Sequence, residues 1–251
     1  MSDQTPNPIP VAWLDGDPQR IVLHWTGGGY QPNADDLSAY HLLIDGDGIW
    51  RRGQWPISAS DAPKPGRYAA HVRGLNTGSI GVAICAMGGA RERPFSVGPY
   101  PIRPAQWAAL YAGCAQLATH FRIPVARHTL LSHAEVQPTL GVTQSAKWDI
   151  AIDPDSGELA AGGPVAVGDI IRERVQDWTA ATDRPLPTPT AQTGIDPRDL
   201  PRISAILPDA VLRTRLRELQ RMVGVPDADI DGIIGPQTYR AIAAAVGGDK
   251  R

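Results

Sequence analysis

Residues 20–25 read RIVLHW and run straight into a threonine and three glycines. A segment so short and so apolar is a buried strand, and the glycines carry it into a loop where backbone can approach a ligand closely. The neighbouring sequence supplies partners for that strand. Tyr40–Trp50 (YHLLIDGDGIW) reads as a hairpin: an apolar strand, a turn at Asp45–Gly48, then a return strand. Ser79–Met87 (SIGVAICAM) is another core strand. Pro104 suits the first turn of a helix reaching Phe121, along which Trp107, Leu110, Tyr111, Cys114 and Leu117 recur at helical spacing. A last helix is expected over Asp169–Trp178. Strands interleaved with helices predict an α/β domain, a mixed central β-sheet flanked by helices.

The 251 residues divide into three blocks. Residues 11–182 hold the α/β pattern. Residues 183–202, containing RPLPTPT and few large apolar side chains, form a proline-stiffened linker. Residues 203–248 carry two helical patterns around the turn PDADIDGIIGP, with Leu212, Leu216, Leu219 and Val223 on one face of the first, and so predict a small all-α C-terminal domain.

A net charge of -2 gives no electrostatic reason to bind nucleic acid or an anionic membrane. No apolar run approaches the ~20 residues of a membrane span. The polar, proline-rich start Met1–Pro10, with no basic start or apolar core, is not expected to act as a secretory signal. Two cysteines, Cys85 and Cys114, each within an apolar pattern, are expected as buried free thiols.

The six histidines are the informative residues: His24, His41, His71, His120, His128 and His133. His24 ends the buried strand before the glycine loop, a natural place for a ligand or catalytic group, although a lone histidine there also suits a structural role. His133 is followed sixteen residues later by Lys147-Trp148-Asp149. Two imidazoles and a carboxylate suffice for zinc and leave the fourth tetrahedral position for water. The metal would lower the pKa of that water towards ~7. A nearby lysine would stabilise the oxyanion of a tetrahedral intermediate. No two of these ligands share a compact motif such as HExxH, so spacing alone does not settle the set.

Taken in order, IVLHWT, YHLLIDGDGIW, AHVRGLNTGSIGVAI, SHAEV and KWD resemble the zinc N-acetylmuramoyl-L-alanine amidases, the family that includes phage lysozyme-amidases and peptidoglycan recognition proteins. The resemblance spans roughly residues 20–155. It implies His24, His133 and Asp149 as zinc ligands, Tyr40 as the group assisting the attacking water, and Lys147 as the oxyanion stabiliser. It implies that His71 lines the substrate groove, and that Asn76 holds its loop or a substrate group. Glu135 is expected to orient its loop or support His133. His41, next to Tyr40 on an expected strand, should point to the opposite face. His128 and His120 lie outside the implied set.

Two departures from the family pattern stand out. Ala83 occupies the place where the muropeptide-recycling branch carries a catalytic glutamate, which favours the phage-like branch. The gap between His133 and Asp149 is long, so Gln137–Ser145 reads as a loop insertion and Asp153 is a rival third ligand. In the third block, LRELQRMVGV and DADIDGIIGPQTYRAI resemble the helical peptidoglycan-binding domain attached to many wall hydrolases. The whole pattern implies a monomeric peptidoglycan hydrolase made without a signal peptide and acting on the wall after release, as a phage or prophage endolysin does. The alternative is a non-catalytic peptidoglycan receptor on the same scaffold. Receptors of that kind lack part of the zinc set, for which this sequence has all three candidates.

Overall fold

The computed structural model describes residues 6–183, so the expected linker and C-terminal helical domain lie outside the described residues. Residues 6–180 make one compact unit. Its centre is a five-stranded sheet: β1 (Arg20–Trp25), β2 (Leu42–Ile44), β3 (Trp50–Arg52), β4 (Ser79–Ile84) and β5 (Leu130–Ser132), in the order β3-β2-β4-β1-β5. Strands β2, β4, β1 and β5 run parallel, and β3 pairs antiparallel with β2 at one edge, closing the expected hairpin. The helices are α1 (Ala34–Ala39), α2 (Pro104–Phe121), α3 (His133–Leu140) and α4 (Gly163–Asp183). The α/β class and mixed sheet agree with the sequence expectation, and α2 has the predicted bounds. The last helix is longer than expected because its helical pattern continues on both sides of Asp169–Trp178.

Alternation along β1 decides which side chains reach the site. Ile21, Leu23 and Trp25 enter the main core with Leu110, Cys114 and Leu117 of α2 and Val167, Ile171 and Val175 of α4. Val22 lies on the other face, packed with Val72, Leu131 and Val136. His24 shares the parity of Val22, so it turns away from the large helices and towards α3. Both cysteines are buried and free, as expected. Among the described residues no helix is long and apolar enough to cross a membrane.

Two local details differ from the sequence expectation. Tyr40 is not on a strand: it ends α1, its N–H bonded to Asp36 O, and β2 begins only at Leu42. The helix is set from its start, where Asn33 and Asp36 exchange side-chain-to-backbone bonds of 2.9 and 3.0 Å, so Tyr40 takes its position from a capped helix. Nor is Gln137–Ser145 all loop. Helix α3 continues through Leu140 in spite of Pro138, and ends where Gly141 adopts φ 70°. Buried Val136 and the anchored first turn hold α3, so losing one N–H donor at Pro138 does not break it.

Candidate metal centre

Strands β1 and β5 lie side by side, with Leu23 opposite Ser132, so His24 near the end of one strand and His133 just beyond the other emerge at the same edge. The carboxyl edge of parallel strands is the usual location of ligand sites in α/β sheets. Asp149 arrives from a separate segment. Trp148 packs edge-on to Trp25 at 4.7 Å, and the Asp149 carbonyl accepts the Ala134 N–H at 2.7 Å in the first turn of α3. These contacts place the Asp149 side chain between the two imidazoles.

The three donor atoms form a near-regular triangle. His24 Nδ1 is 3.0 Å from Asp149 Oδ2 and 3.1 Å from His133 Nδ1, and His133 Nδ1 is 3.2 Å from Asp149 Oδ2. Ligands bound at zinc's usual distances in a tetrahedron lie about 3.3 Å apart, so this triangle fits such an ion. All three side chains are buried. Asp153, the rival ligand, is half-buried and lies outside the cluster, and its Oδ1 accepts the N–H groups of Asp155 and Ser156 within its own turn.

Burial alone would raise the Asp149 carboxyl pKa, but hydrogen bonds and charge from His133 and His24 bring it down to about 2. Burial lowers His24 to about 4, with Asp149 opposing that shift. A carboxylate and a neutral imidazole are the protonation states in which these groups ligate metals.

The remaining expected site residues surround the cluster. The Tyr40 ring lies 5.1 Å from that of His24, and burial, followed by the Asp149 charge, pushes the phenol's pKa up. His71 is buried with Nδ1 3.1 Å from His24 Nε2. Burial and the neighbouring histidines hold it well below the ordinary imidazole value. Its ring lies over Gly81 of β4, where a Cβ would come within 2.5 Å of His71 Cγ. Asn76 Oδ1 accepts the N–H groups of His71 and Val72, tying the loop around His71. A cavity of about 590 Å³ opens beside the cluster, walled by Tyr68, His71, Arg73, Asn76, Gln144 and Lys147. Lys147 is exposed on that wall.

The other polar candidates are placed elsewhere. His41 is not in the donor triangle: its ring lies edge-on behind His71 at 5.5 Å, with its Nε2 3.0 Å from Ser60 Oγ and its Nδ1 accepting the Gly81 N–H. His120 and His128 are exposed. Ala83 pairs in register with His24, so no carboxylate enters from β4 at that level. Glu135 is fully buried, accepting the Ser132 N–H and an Arg172 N–H, and it fixes the start of α3 from which His133 projects. Sequence reasoning passed over Gln144, whose Oε1 lies 3.0 Å from His133 Nε2. No spacing rule signals a glutamine inside a loop.

Fold and site together define an α/β protein with a buried two-histidine, one-carboxylate centre beside an open cavity. Residues 14–151 match the N-acetylmuramoyl-L-alanine amidase family (Amidase_2), and the chain belongs to that family. A comparison with curated proteins finds no match. Similar solved structures include the N-acetylmuramoyl-L-alanine amidase LysC of Clostridium intestinale URNW, at 19% identity over 53% of this chain and 84% of that one, with a TM-score of 0.33. The endolysin amidase LysCS of the same source is also 19% identical, over 55% and 88%, with a TM-score of 0.34. The Ph2119 endolysin of a Thermus scotoductus MAT2119 bacteriophage shares 19% identity over 64% and 86%, with a TM-score of 0.37. Membership rests on the family match.

Proposed function

We propose that this chain hydrolyses the amide between the lactyl group of N-acetylmuramic acid and the L-alanine of the stem peptide, with zinc held by His24, His133 and Asp149. The observation that carries the reading is the triangle of three buried donors with sides of 3.0–3.2 Å, set beside a solvent-open cavity in a chain of the amidase family. When bound, zinc supplies Lewis acidity and lowers the pKa of water towards neutrality.

The chain's own groups do the rest. Asp149 and the two imidazoles offer one negative charge, leaving the centre net positive with a divalent ion and suited to an oxyanion. Tyr40 stays a neutral phenol at physiological pH, since its pKa is pushed up, and so offers an O–H to orient the attacking water. Lys147 lines the cavity beside the cluster and neutralises charge building on the scissile carbonyl oxygen. His71 and Asn76 shape the wall against which the substrate lies.

The resemblance of residues 203–248 to a peptidoglycan-binding domain supports a role in wall lysis as an endolysin, with the catalytic block tethered to an insoluble substrate. Mass spectrometry of purified peptidoglycan digested with and without a chelator tests the reading. Stem peptides with a free L-alanine amino group, released only without chelator, are the expected result. Wall that binds the protein yet stays intact under both conditions would instead identify a receptor.

A further inference from the structure

We propose that Gln144 is a positioning residue that fixes His133 as a ligand through Nδ1. The inference rests on the metal reading above and extends it to a residue outside the ligand set. Gln144 is buried, and both ends of its amide are engaged. Its Nε2 lies 2.9 Å from the Arg73 carbonyl oxygen and 3.4 Å from that of Val142. Carbonyl oxygens only accept, so the NH2 end of the amide must face them. That orients Oε1 towards His133 Nε2, 3.0 Å away. An amide oxygen also only accepts, so the proton of a neutral His133 sits on Nε2 and the Nδ1 lone pair is left facing Asp149 and His24.

The contact between His24 and His71 lacks this property. His71 Nδ1 can itself donate or accept, so this contact alone does not dictate the tautomer of His24. Gln144, by contrast, converts fixed backbone carbonyls into a fixed proton position on His133.

Its own placement is also built. The Gln144 N–H donates to Gln137 Oε1 at 2.9 Å, anchoring the loop to α3, and Val142 packs against the small core formed by Val22, Val72, Leu131 and Val136. Through Arg73 O, the same amide links the His133 side of the centre to the loop that carries His71. The long interval between His133 and Asp149 therefore delivers the partner that orients His133.

The test compares zinc affinity, by competition with a chromogenic chelator, in the full-length protein and in Gln144→Ala, Gln144→Leu and Gln144→Glu. The thermal midpoint of each metal-free protein is measured alongside. Loss of such an outer partner weakens metal binding about 10–100-fold. That loss is expected for Ala and Leu, while Glu, which keeps an acceptor for the Nε2 proton, is expected to recover most of it. Ala and Leu variants that hold zinc within twofold of the parent would overturn the inference, as would a Glu variant no better than Leu. Long-range ¹H–¹⁵N NMR of the unsubstituted protein, with and without zinc, is independent of any variant's folding: a proton on His133 Nε2 supports the inference, and its absence refutes it. Failure of the parent to bind zinc would sink the metal reading instead, and the NMR result would still decide the orientation by Gln144.

Discussion

His24 uses Nδ1 in the cluster and Nε2 against His71, while His133 uses Nδ1 in the cluster and Nε2 against Gln144. Each imidazole is thus contacted from behind, by groups that would not themselves touch an ion held in the donor triangle. Replacing His24, His133 or Asp149 by Ala should abolish stoichiometric metal, whereas Asp153→Ala should retain it; metal analysis of dialysed protein decides between the two carboxylates. Tyr40→Phe and Lys147→Met should keep the metal but lower the turnover number, by about 10²–10³ for Lys147 if it carries the oxyanion. Equal losses of metal and activity in either variant would remove it from the proposed chemistry. Gly81→Ala should displace the His71 ring, because its methyl would lie 2.5 Å from Cγ. Overpacking of this kind costs about 1–3 kcal/mol, readable as a shifted denaturant midpoint.

At the scale of elements, α3 is the mount for His133, and it is pinned to α4 by a buried ion pair. Arg172 donates to Glu135 at 2.9 Å and to the Leu130 carbonyl at 2.8 Å, joining α4, α3 and β5 in one network. Gly168 makes room for it, since a Cβ there would lie 2.1 Å from the Glu135 carboxylate. Removing one partner of a buried pair leaves an uncompensated charge, so Arg172→Met should destabilise the domain by about 3–5 kcal/mol in denaturant unfolding. The pair's exposed extension is sensitive to acid. A hydrogen bond from Arg127, opposed by burial and helped by Arg172, holds the Asp169 carboxyl down at about 2. Because its folded pKa is below the ordinary 3.8, its contribution is complete above that value and fades as pH falls towards 2. Asp169→Asn should therefore flatten the acid limb of stability in that window while changing little of its pH dependence at neutral pH.

For the whole molecule, residues 6–180 are a compact unit with its own core, and the three candidate metal-holding residues lie wholly within it. A chain ending at residue 183 should therefore keep its metal and its rate on soluble muropeptides. On insoluble wall it should lose about 10²-fold in activity at low enzyme concentration, if the C-terminal block supplies the tether. Equal activity of both chains on intact wall would count against a wall-binding role for residues 203–248.

The sequence by itself determined what neighbours along the chain can encode. The apolar run Arg20–Trp25, the hairpin read over Tyr40–Trp50 (its strands lie at Leu42–Ile44 and Trp50–Arg52) and the full extent of α2 were legible because alternation, turn residues and helical spacing are local signals. The residue types of the candidate centre were legible too, through segments that resemble a family. Only the tertiary structure decided that His24, His133 and Asp149, separated by 109 and 125 residues from His24, share one triangle. That depends on β1 lying beside β5 and on Trp148 packing against Trp25. It also decided that Tyr40 leaves a helix, that Glu135 pairs with Arg172, and that a glutamine in an apparent insertion faces His133. Sheet order and register bring distant segments together, and no local period in the chain records which strands become neighbours or which buried donors and acceptors must then satisfy one another.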